Sequence, residues 1–262
     1  MSRKIRPIIL VILICCFAFI SIKKLFIYDN NSNNPQMFSN YSHTGYLQIH
    51  PETILDELNH GKSNAFSPIS EDIYYRMYLE DEAKYPNIYW SQTDYLRIVD
   101  ALNREIWHES LDSKKWNVLI LQMRRDCVDN PQGFNDFEII YFQNSKIEFL
   151  DRQYPVRRFE VVAWQGLVRW GDETFSDAII PNWDKANLND FQVTADDALS
   201  ITEMNGGNKA RQQSDNECNI SISLNNYPPA YGYTKNNWLV DYSATDFSAH
   251  FRINPLSGEI QK

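Results

Sequence analysis

The chain has 262 residues with 25 Lys and Arg against 34 Asp and Glu, a formal net charge of −9 at neutral pH. Five of the basic residues and none of the acidic ones fall within the first 24 positions, so the remainder carries 20 basic against 34 acidic side chains, a charge of −14. A field of that sign disfavours nucleic acid, teichoic-acid-like polymers and anionic lipid faces as ligands, and nine glycines leave little for a phosphate cradle.

In chain order, the uncharged run Pro7 to Ile22 is flanked by Arg3, Lys4 and Arg6 before it and by Lys23 and Lys24 after it. That layout predicts a membrane span with a cytoplasmic N-terminus. No small-x-small cleavage site follows the run, so residues 1–27 are expected to stay as an uncleaved anchor with a cytoplasmic stub, single-pass, with the rest outside the cytoplasm. Residues 28–45, rich in Asn and Ser, read as a flexible tether.

Residues 46–190 read as an α+β domain. Helices are expected over Pro51–Asn59, Ser70–Lys84 and Ser91–His108. The third is the firmest, because Ser91 and Asp94 form a capping-box pattern and Tyr95, Ile98, Val99, Leu102 and Ile106 share one helical face. Strands are expected over Trp116–Arg125, Phe137–Gln143 and Val156–Trp170, from their β-branched and aromatic content. Gly171–Asp190 reads as a loop.

Residues 191–262 form a further α+β unit. Thr194 and Asp197 cap a short helix that Gly206-Gly207 is expected to stop. Cys218–Leu224, Trp238–Tyr242 and Phe247–Ile253 then alternate apolar and polar residues as three strands of an antiparallel sheet. This unit resembles the PepSY family of small extracytoplasmic domains, through TADDALSI in the helix, the Gly206-Gly207 stop, WLVDY, and FRINPLSGEI at the end. Asn254 and Ser257 stand where the family's closing turn has Asp and Thr. The resemblance implies a binding or inhibitory module outside the cytoplasm. The fold class expected for the whole chain is therefore α+β: an N-terminal transmembrane helix, then helices packed on antiparallel sheets, ending in a helix plus a three-stranded PepSY-like unit. A helix followed by three strands thus occurs twice, with little residue identity between the copies.

Chemistry-bearing patterns are sparse. There is no His-Glu-x-x-His helix, Gly-x-Ser-x-Gly elbow, Walker loop or Cys-x-x-Cys, and the five histidines show no ligand spacing. No catalytic residue, cofactor or metal site is expected. The aromatic series gives a possible partner surface for an envelope protein or a glycan: Tyr74, Tyr75, Tyr78, Tyr89 and Trp90, beside a groove between the helical region and the first sheet. Tyr74 and Tyr78 share a helical face while Tyr75 turns away from it, so at least one ring should be exposed. The expected function is a membrane-anchored extracytoplasmic binding or regulatory module without turnover. The alternative is a cell-envelope hydrolase using an acidic pair, for which Asp172-Glu173 or Asp136 and Glu138 are the candidates. Cys127 and Cys218, the two cysteines beyond the anchor, either pair as a disulfide that staples the two units or remain buried thiols.

Overall fold

The structure, a computed structural model, describes residues 43–61, 65–80, 82–111, 115–129, 131–143, 146–148, 151–176, 186–225 and 236–261. The expected span, residues 7–22, and nearly all of the expected tether lie outside the described residues. Among the described residues no helix is long and apolar enough to cross a membrane.

These residues belong to one compact unit. Its strands are β1 (His43–Gln48), β2 (Ser67–Ile69), β3 (Trp116–Asp126), β4 (Asp136–Gln143), β5 (Lys146–Glu148), β6 (Asp151–Val162), β7 (Leu167–Ser176), β8 (Asn219–Asn225), β9 (Asn237–Ala244), β10 (Phe247–Ile253) and β11 (Ile260–Gln261). The helices are α1 (Ile54–Asn59), α2 (Glu71–Tyr78), α3 (Gln92–Trp107), α4 (Ala195–Thr202) and α5 (Asn208–Gln213). All pairings are antiparallel, and ten strands form one continuous path, β11-β10-β9-β8-β3-β4-β6-β7-β1-β2, with β5 pairing β6 to the side.

This corrects the expected fold class. Helices do not lie on separate sheets, and the C-terminal strands are not a free-standing three-stranded unit: a single large sheet with few helices dominates. The joint is β3 against β8, where Leu121 faces Leu224, Met123 faces Ile222 and Arg125 faces Ile220. These residues, all apolar but Arg125, point to the covered face, so a unit ending at β8 would leave an edge of unpaired backbone beside a hydrophobic row. Pairing the two edges removes that liability.

The two halves meet in a near two-fold relation. Each half is a capped helix followed by a meander whose first strand sits at the joint. Gln92 and Ala195, at equivalent positions just after the caps, are 103 residues apart, and the same spacing separates Leu121 from Leu224. The helix starts also touch: Gln92 N–H donates to Asp196 Oδ2 (2.8 Å), and Ala195 N–H donates to Gln92 Oε1 (2.7 Å). Both capping boxes are formed, Ser91 with Asp94 and Thr194 with Asp197.

The covered face packs under α3 and α4. Tyr95 of α3 stacks on Phe137 of β4 (ring centroids 4.7 Å) and donates to the Phe134 carbonyl (2.9 Å). Trp107 meets both Phe159 and Trp170 edge-on. Gly45 of β1 lies directly against the Trp170 indole, where any side chain would overlap it.

Several boundaries differ from expectation. Val156–Trp170 is two strands, β6 and β7, reversed at the Ala163–Gln165 turn with Gly166 in the left-handed region (φ 68°). The supposed tether already enters β1 at His43, and Gly171–Ser176, read as loop, extends β7. The Gly206-Gly207 stop forms as expected, since Asn205 and Gly206 (φ 124°) leave helical geometry, but the chain does not go on to a strand: it kinks there and re-enters a helix, α5.

Candidate functional site

β4, β6 and β7 alternate strictly, so the residues facing away from α3 form rows on the opposite face. One row runs Gln122, Glu138, Glu160, Arg169 and Tyr46; the next runs Ser221, Arg124, Asp136, Val162 and Leu167. α2 packs over β1 at the end of these rows. Its Tyr74, 1% exposed, closes a small apolar cluster with Val162 and Leu167. Tyr46, Tyr75 and Tyr78 surround it, with centroids 5.0, 5.5 and 6.0 Å from the Tyr74 ring.

Beside this cluster, three carboxylates and three guanidinium groups alternate. Arg124 reaches Asp136 at 3.5 Å, Arg158 reaches Glu138 at 2.9 Å and Glu160 at 3.9 Å, and Arg169 reaches Glu160 at 3.8 Å. Burial raises the Asp136 carboxyl to about 6 against the pull of Arg124, with Glu160 and Glu138 adding to the rise. Burial likewise raises Glu138, opposed first by Arg158. Asp136 and Glu138, two apart on one strand, point the same way and each meets an arginine. They do not face one another across a cleft, as an acid–base pair acting on a glycosidic bond would.

The second acidic candidate splits in the same way. Asp172 and Glu173 are neighbours on β7 and so point to opposite faces. Asp172 accepts from the His43 N–H at 3.0 Å at the start of β1. Glu173 has one oxygen without a partner among the described residues, and burial raises its carboxyl to about 7.

A serine, an aspartate and a histidine also align on the uncovered face, at Ser221, Asp241 and His250. Asp241 stands in the middle strand and meets His250 Nδ1 at 2.6 Å. The histidine is therefore two strands from the serine, the reverse of the order that activates a hydroxyl nucleophile.

The five aromatic residues singled out in the sequence do not form one surface. Tyr74 and Trp90 (6% exposed) are buried, so neither contributes to an outer face. Trp90 packs edge-on against Tyr95, and Tyr89 lies under the Arg125 guanidinium at 4.6 Å. Tyr78 is half-buried beside the charge rows. Tyr75, 38% exposed, is the ring that turns outward. Sequence reasoning missed its neighbours: Leu79, 74% exposed, at the C-cap of α2, and Tyr46, the first residue after the supposed tether, which donates to Glu71 Oε1 (2.9 Å). Tyr75 and Leu79, four apart, share one flank of α2. Glu71 and Asp72 border that flank, Glu80 and Glu82 follow it, and Arg76 and Lys84 are the exposed cations of the same stretch.

Cys127 and Cys218 are joined by a disulfide with Cα atoms 5.1 Å apart. They continue the β3–β8 register by one pair beyond Asp126–Asn219, and Cys127 N–H donates to the Cys218 carbonyl at 2.8 Å.

The ionic rows carry a pH signature. The folded-state value of Asp136 lies above its ordinary 3.8. The folded form therefore holds a proton that the unfolded chain has released, and the associated stability, full below about pH 4, is lost as pH rises through about 6. Asp136→Asn is expected to be more stable than the parent at pH 7.5, by up to about 3 kcal/mol, and equal to it at pH 4. Urea titrations of both chains at the two pH values check this.

In comparisons with known proteins, no protein-family model matches the chain, and neither does any characterised protein or solved structure.

Proposed function

We propose that this chain is a non-catalytic, extracytoplasmic binding module that engages a partner protein through the Tyr75–Leu79 flank of α2, with attachment to the membrane through the apolar stretch 7–22. The observation that carries the reading is the exposure of Leu79 and Tyr75 side by side on a helix already anchored by its opposite face. A short helix gains nothing in the isolated chain from an exposed leucine beside an exposed ring, and such patches mark contact surfaces. The flanking carboxylates define the partner's chemistry: apolar side chains set among lysines and arginines.

Three further features support the reading. The disulfide suits an oxidising compartment outside the cytoplasm. The carboxylates that a hydrolase would need are neutralised in pairs by arginines or point to opposite faces. The resemblance of residues 191–262 to PepSY domains points in the same direction.

Affinity capture from solubilised membranes of the source cells tests the proposal. The parent chain is expected to retain a partner that Leu79→Asp loses by more than about tenfold and that moderate salt releases. Met204→Asp, at an equally exposed apolar residue just before the Gly206 kink (77%), should leave capture unchanged. Equal loss in both variants, or none in either, would refute the assignment to α2.

A further inference from the structure

At the β11 end of the sheet, far along the strand order from α2, a cavity of about 340 Å³ opens between the Leu188–Asp190 turn, the start of β9 and the β10–β11 turn. Its polar lining is dominated by amides: Asn187, Asn236, Asn237, Asn254 and Gln261, with Asp190 the one ionisable group. Phe191 and Leu256 supply the apolar part, and Phe191 is braced edge-on by the buried Trp238 (6.1 Å).

The amides are fixed in a particular sense. Asn187 Oδ1 accepts from the Asn189 N–H (3.0 Å) and Asn254 Oδ1 accepts from the Leu256 N–H (2.8 Å). Each amide is thereby oriented by its own turn, and among the described residues neither amino group has a hydrogen-bond partner. Asn236 is the complement. It sits at φ 51°, a conformation asparagine tolerates, and its buried Oδ1 has no partner among the described residues. Two donors and an unmet acceptor thus surround one braced ring, and an unmet buried acceptor costs stability unless something supplies a donor.

We infer that this cavity is a binding site for a neutral saccharide of one or two hexose units, a site distinct from the α2 flank and independent of what α2 binds. Sugar hydroxyls donate and accept at the same atom, which matches amides presenting both functions, and the C–H face of a pyranose suits an aromatic ring. The volume is at the small end of the range for ligand pockets. Uncharged amides in a chain this acidic, with Asp190 the sole charge at the wall, select against uronates and phosphosugars.

The test uses the full-length chain in a sugar-free zwitterionic detergent. Cellobiose, maltose and diacetylchitobiose are titrated by calorimetry and by saturation-transfer NMR, alongside a glucuronate-containing disaccharide. At least one neutral disaccharide is expected to bind, with the uronate binding more weakly or not at all. Asn236→Gly, which keeps the left-handed backbone and removes the unmet acceptor, should weaken binding about tenfold with no fall in melting temperature. Asp190→Asn, at a surface turn, should keep the neutral sugar and narrow the discrimination against the uronate. No binding by any of the three neutral sugars, binding indifferent to Asn236→Gly, or preference for the uronate would overturn the inference. Loss of the α2 partner in Leu79→Asp would leave every one of these results unchanged.

Discussion

Replacing Cys127 and Cys218 together by alanine is expected to lower the unfolding free energy by about 4.6 kcal/mol, the loop-closure value for a bridge spanning 91 residues. The bond joins the end of the first strand of one half to the start of the first strand of the other, at the end of the β3–β8 strand seam between them. In the oxidised chain, unfolding cannot fully separate the halves; once it is cut, the unfolded ensemble expands. Urea titration with and without reductant should therefore show a lower midpoint and a steeper slope after reduction, because more surface is exposed on unfolding. An unchanged midpoint would mean that the seam is held by its apolar rows alone.

Glu203→Gln is the second large effect expected, a loss of about 3 kcal/mol from removing the buried carboxylate that pairs with Arg211 and leaving only the exposed Asp129 carboxylate, 3.5 Å away, to face it. Arg211, 5% exposed, makes two contacts to Glu203 through Nε (3.1 and 3.0 Å) and one through Nη2 (2.7 Å), and it donates to Asn216 Oδ1 (2.8 Å). Tyr242 donates to the same carboxylate at 2.7 Å, and burial together with that bond raises its phenol above the ordinary range. Gly207, just after the kink at Asn205 and Gly206, leaves room for the Tyr242 hydroxyl, which a Cβ there would approach to 2.5 Å. The double variant Glu203→Met, Arg211→Met should cost much less than the sum of the two single changes, since it removes both desolvated charges at once. Thermal or urea unfolding of the three chains measures the coupling.

What the sequence conveyed, and what it did not, follows from the range of each interaction. α3 was legible because its cap, its period and its buried face are all set within one run, Ser91 to Ile106. The turn inside Val156–Trp170 was not: Gly166 is its one conformational marker, and β-rich residues continue on both sides. The first half of β1, His43 to Gly45, was read as tether because an Asn- and Ser-rich run leads into it and Gly45 has little strand preference; it pairs because β7 and Trp170 stand beside it. The β3–β8 seam joins strands nearly a hundred residues apart, and alternation shows which face each strand buries, never which edge it pairs with.

The candidate sites divide along the same line. That Tyr74 and Tyr75 would part company was readable from the helical period. That Tyr46 and Leu79 would stand beside Tyr75, that three arginines from β3, β6 and β7 would meet the carboxylates of β4 and β6, and that distant asparagines would ring Phe191 depended on strand order.

Binding through α2 is tested most directly by placing a photo-crosslinking phenylalanine analogue at position 75 of the full-length chain and irradiating intact cells. The proposal predicts a discrete protein adduct whose cross-linked peptide is rich in lysine or arginine, abolished by Leu79→Asp and absent when the same analogue replaces Met204. An analogue at position 75 that yields no protein adduct, or one that persists in Leu79→Asp, would contradict it.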